Sequence, residues 1–89
     1  MPKLENWSVN DIGLDGSFNE YSYLHGTVSG HYQHRDGSEV FTASITKIEG
    51  ELVVTSFGDR WELGMVDPEY EKIYPNVKER LFNYLRSKQ

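Results

Sequence analysis

From Tyr21 to Gly64 apolar and polar residues alternate with a period of two, and Asp36-Gly37, Glu49-Gly50 and Gly58-Asp59 punctuate the alternation. Such alternation marks strands with one dry face. Glycine accepts the positive φ of tight hairpin turns at little cost. Centring hairpins on the three dipeptides pairs Val28 with Ile45, Ile45 with Val54 and Val54 with Leu63 in one apolar row. A second row on that face holds Gly30, Ala43, Ser56 and Trp61. The opposite face then carries Thr27, Ser29, Ser44 and Thr55, together with His31, Thr42, Phe57, Arg60 and Glu62. Because a slip of one residue inverts every side chain, this separation of apolar from polar predicts strands over about 21–33, 39–48, 51–57 and 60–64. Gly26 and Gly30 interrupt the first strand, and strand glycines mark bends and bulges. The sheet is expected to coil toward a small open barrel.

Beyond Met65-Val66 the period changes. Asp67-Pro68 combines a helix N-cap with proline at the first helical position, and Pro75 interrupts the helix that begins there. The spacing predicts helices over about 68–73 and 76–87. Val77, Leu81, Tyr84 and Leu85 form one stripe on the longer helix, the natural cover for the Val28/Ile45/Val54/Leu63 face. Residues 1–20 mix apolar anchors (Leu4, Trp7, Ile12, Leu14, Phe18) with turn signals. They are expected to form an irregular arm that can include one short strand. The fold class is therefore α+β: a four- to five-stranded antiparallel β-meander with a C-terminal amphipathic helix packed on one face. One domain, 1–89, divides into arm (1–20), meander (21–64) and helical C-terminus (67–88).

Composition narrows the function. Residues 1–77 carry five basic and thirteen acidic groups, a balance of −8, and residues 78–89 a balance of +3. An acidic body disfavours phosphate backbones, and the sheet region offers only Arg35, Lys47 and Arg60 as cations. No nucleic-acid partner is expected. No apolar run approaches the roughly 20 residues that span a bilayer, so no membrane association is expected. The N-terminal Met1-Pro2-Lys3 begins no apolar leader, and cysteine is absent. Both fit a cytoplasmic protein.

Candidate chemistry is sparse. His25, His31 and His34 fall within ten residues, but His25 and His31 are six apart on one strand, too far to share an ion if it is straight. Asp11, Asp15 and Gly16 superficially suggest a calcium loop, yet Gly13 and Ser22 occupy positions that need carboxylate or amide oxygen ligands. Ser29, Thr42, Ser44 and Thr55 share a face with His31 but no oxyanion hole accompanies them. Glu39 and Glu62 lie too far apart in this register for paired-carboxylate work. Gly26 and Gly30 lack the Lys-Ser/Thr of a phosphate loop. No catalytic residue, cofactor or metal is expected.

Twelve aromatic residues are more than one small core can hide. Together these features point to a small non-catalytic binding protein. It would act by stoichiometric association, as a homo-oligomer, an adaptor or an inhibitor of phage type. The expected partner surface is His31, Thr42, Phe57, Arg60 and Glu62, an aromatic ring beside an arginine. A free strand edge is another docking surface. Phe57 could instead pack beneath the arm, against Trp7 or Phe18. The alternative function is a small metal-binding or enzymatic domain using His25, His31 and His34.

Overall fold

The computed structural model describes residues 2–88. Five strands, β1 (Lys3–Asn10), β2 (Tyr23–Ser29), β3 (Glu39–Glu49), β4 (Leu52–Thr55) and β5 (Arg60–Leu63), precede two helices, α1 (Pro68–Ile73) and α2 (Val77–Ser87). Successive strands pair antiparallel in chain order. The sheet then closes on itself, because β1 meets β5 in parallel at Lys3↔Glu62 and Leu4↔Leu63. The α+β class and the C-terminal helix stand as expected. Within the arm, residues 3–10 form one strand, which closes the sheet, and residues 11–22 are irregular.

The expected strand register is also corrected. His25 lies opposite Phe41 and Thr27 opposite Glu39, so Val28 faces Ser38 (N–H to O, 2.9 Å) and not Ile45. Asp36 is the reason. Its carboxylate reaches back to accept the Gly30 N–H at 2.9 Å, which closes a broad loop instead of a two-residue turn. At the second hairpin the turn residues are Gly50-Glu51, since Glu49 pairs with Leu52. Ile45 therefore meets Thr55. In the third, Val54 pairs with Arg60 and Val53 with Trp61, because Ser56-Phe57-Gly58 make a longer turn closed by Thr55 N–H to Asp59 O, 3.0 Å.

Val28, Ile45, Val54 and Leu63 are nonetheless all buried: bulges turn Ile45 into the core with Val28 and Leu63, whereas Val54 is buried apart from it. Inward residues of β3 are Val40, Ile45 and Ile48, and those odd spacings require an extra residue between each pair. Each irregularity is stitched by a threonine hydroxyl: Thr42 Oγ1 accepts the Leu24 N–H at 2.9 Å, and Thr46 Oγ1 donates to Val54 O at 3.1 Å. On β1 the register shifts between Glu5 and Ser8, where Asn6 takes a positive φ of 50°. Leu4 and Trp7, three apart, both point inward as a result. Thr55, expected on the outer face, is buried on the inner one with Val53. Val54 is buried outside the main core cluster. It lies between Lys47 and Arg60 across the strands, whose aliphatic stems can cover it.

Asp67 caps α1 by accepting the Glu69 N–H at 3.1 Å. Helix α2 packs on β3 and buries Val77, Leu81, Phe82 and Leu85. Tyr84, expected in that stripe, is half-buried against Phe18 (ring centroids 5.7 Å), and Phe82 is buried on the other flank of the stripe. No helix among the described residues is long and apolar enough to cross a membrane.

Candidate functional site

At one end of the barrel the β2–β3 loop, the β4–β5 turn and the start of β1 surround a depression of about 400 Å3, lined by Pro2, Gly30, His31, Tyr32 and Gly58–Arg60. Gly30 (φ 72°) and Gly58 (φ 86°) make the bends that shape its rim. His31 floors it. The imidazole lies nearly parallel to the Trp61 indole, with centroids 5.5 Å apart, and to the Tyr32 phenol at 5.0 Å. Its Nδ1 accepts the Gln33 N–H at 3.0 Å, which leaves Nε2 to carry the proton of the neutral ring.

Exposed rings stand on both loops of this end. Tyr32 is 89% exposed on one loop and Phe57 83% exposed on the other, next to Gly58. Arg60 also lines the depression, and its Nε donates to Glu49 Oε1 at 2.7 Å. That hydrogen bond, and then one from Lys47, keeps the Glu49 carboxyl below its ordinary range. Two buried polar atoms on the inner wall, Trp61 Nε1 and Thr55 Oγ1, have no hydrogen-bond partner among the described residues.

The structure thus brings His31, Phe57 and Arg60 to one end. It separates Thr42, which serves the β3 bulge, and Glu62, which sits exposed on β5 between Lys3 and Leu52. Phe57 does not pack under an N-terminal arm, since Trp7 is in the core and Phe18 lies against α2. Tyr32 escapes the sequence reading because a two-residue hairpin places it in a ladder. Its position before a glutamine and a second histidine, in a stretch that Asp36 can close, is the available signal.

A second aromatic surface lies on the outer face of β2 and β3. Phe41, 69% exposed, contacts His25 at 4.5 Å and Tyr23 at 6.0 Å between centroids. The three histidines are accordingly divided. His31 and His34 are neighbours at 4.7 Å, while His25 faces Phe41 and Glu39. No group of three or more His, Cys, Asp or Glu among the described residues is placed to hold a metal.

Comparison with protein families, curated proteins and solved structures finds no match to this chain.

Proposed function

We propose that the protein is a small binding module that works by stoichiometric association with a protein partner, through the aromatic end of its barrel. The observation that carries this reading is the pair of largely exposed rings at one end of the sheet: Tyr32, which lines the depression, and Phe57, on the turn that contributes its lining residues Gly58 and Asp59. Exposed aromatics of this kind offer contact area at low entropic cost, and an adjacent arginine is the usual companion of an interface anchor. The hydrogen bond to His31 comes from backbone and not from a Ser or Thr hydroxyl. The chemistry on the rim is that of recognition. The cysteine-free composition suits a cytoplasmic setting.

The test is affinity purification from the native host with wild-type protein and the Tyr32→Ser/Phe57→Ser double variant as parallel baits. The reading predicts a near-stoichiometric companion on the first bait that is lost from the second, with both baits equally folded by circular dichroism. Equal recovery on the two baits would contradict it.

A further inference from the structure

The loop between β2 and β3 is bracketed at its base. Gly30 N–H donates to Asp36 Oδ1 at 2.9 Å, Gly37 N–H to Val28 O at 2.8 Å and Ser38 N–H to Arg35 O at 3.1 Å. The tip has a different anchor. Among the described residues, the hydrogen bond made within residues 31–34 is Gln33 N–H to His31 Nδ1 at 3.0 Å. A ring nitrogen accepts only while it carries no proton, and an imidazolium donates from both nitrogens. No flip of a protonated ring therefore restores an acceptor for Gln33. Histidine is the side chain whose charge changes between about pH 5 and 8, so this bond belongs to the high-pH side of that change and is lost as pH falls.

The His31 ring itself is held by contacts that do not need Nδ1. It lies nearly parallel to Trp61 at 5.5 Å and to Tyr32 at 5.0 Å between centroids. Aromatic faces attract a cation, so the ring keeps its place when it is charged. What protonation releases is the backbone beyond it, at Gln33 and His34. The groups around the ring are mixed in charge. From the β4–β5 turn and the start of β5, Asp59 and Arg60 line the depression with it, and Arg60 is already paired with Glu49. From the start of β1 the described lining residue is Pro2, which is uncharged. On its own loop, the His34 ring lies 4.7 Å away, Arg35 is exposed, and Asp36 is engaged by Gly30.

We propose that His31 is a proton-operated latch for the tip of the β2–β3 loop. The neutral ring holds Gln33; the protonated ring lets it go and adds a positive charge beside Arg60. The latch is a property of the chain alone. That it tunes association rests on the reading above, in which this end docks the partner, and the test below needs no partner.

An NMR titration of the full chain from pH 8 to pH 5 supplies that test. It is run on wild type and on His34→Gln, which removes the neighbouring ring that can also take up a proton. In both, the Gln33 amide proton should move upfield with the same midpoint as the His31 imidazole carbons. The order parameters of residues 33 and 34 should fall from about 0.85 at pH 8 to about 0.6 or lower at pH 5. His31→Phe keeps a ring over Trp61 but offers no acceptor, so its tip should show the low values at every pH. A Gln33 amide that does not follow the His31 midpoint overturns the proposal. So does a tip equally ordered at the two pH values, or a His31→Phe tip as ordered as wild type at pH 8. Melting curves establish that the variants are folded, and the wild-type titration stands without them.

Discussion

Trp7 and Phe57 are aromatic residues set in polar stretches, Glu-Asn-Trp-Ser and Thr-Ser-Phe-Gly, and the barrel treats them oppositely. Trp7 is fully buried, with its Nε1 donating to Gly64 O at 3.0 Å, so the indole fills the core and ties β1 to the end of β5. Phe57 stands in solvent at a turn. Trp7→Ala should therefore cost about 3–5 kcal/mol as a cavity mutation, and Phe57→Ala less than about 0.5 kcal/mol. Urea unfolding of both variants reads this directly; comparable losses would place Phe57 in the core. Glu5 is a second residue whose role is local. Its carboxylate accepts the Met65 N–H at 2.8 Å and pairs with Lys3 at 3.1 Å. The Met65 hydrogen bond, then Lys3, lowers its pKa. Because the folded-state pKa is depressed, its contribution is present above the ordinary glutamate pKa and is lost as pH falls through the lowered one. The group is partly exposed, so the effect is small. Acid titration followed by circular dichroism should show Glu5→Gln losing less stability than wild type across that window; superimposable curves would remove the Glu5 bond from the account.

The elements show where sequence reasoning succeeds and where it stops. Both helices are legible, because their signals are local: Asp67 and Pro68 start α1, and Val77, Leu81 and Leu85 pack inward as their spacing demands. The strands of the meander are legible as strands. Their pairing is not, because an Asp-Gly dipeptide need not be a two-residue loop, and Asp36 spends its side chain closing a longer one. The bulges are within reach. Leu4 and Trp7, and Val40, Ile45 and Ile48, are apolar at odd spacings, which a regular strand cannot bury on one face. At the site the same slip hides Tyr32 and misplaces Thr42, while Phe57 and Arg60 need only the third turn to be a turn. Gly26 marks a bend or bulge in the sequence, and it sits against the β1 bulge. A Cβ there would lie 2.7 Å from Glu5 O and 3.1 Å from Trp7 Cα, both backbone atoms that cannot swing aside. Gly26→Ala should cost about 1–3 kcal/mol, the range of overpacked cores, in thermal or urea unfolding. Wild-type stability in that variant would mean that β1 does not pass so close to β2.

At the scale of the whole molecule the chain organises two ends and two kinds of surface. β5 runs parallel to β1, so it delivers α1 and α2 to the end opposite the open depression. Helix α2 covers core residues from one side, and the β2–β3 loop and β4–β5 turn remain free at the other. Closure of β1 onto β5 removes the free edges that an open meander would offer. The proposed association then falls to side chains, with the exposed rings of Tyr32 and Phe57 on the loops of the open end and the Arg60 side chain at the start of β5. The most direct measurement of that claim is amide hydrogen exchange on the protein alone and on the complex recovered from the host. Binding through the aromatic end predicts new protection at residues 30–38 and 56–60, with the outer face of β2 and β3 unchanged. Protection confined to residues 23–27 and 39–44, with both loops exchanging as in the free protein, would contradict it.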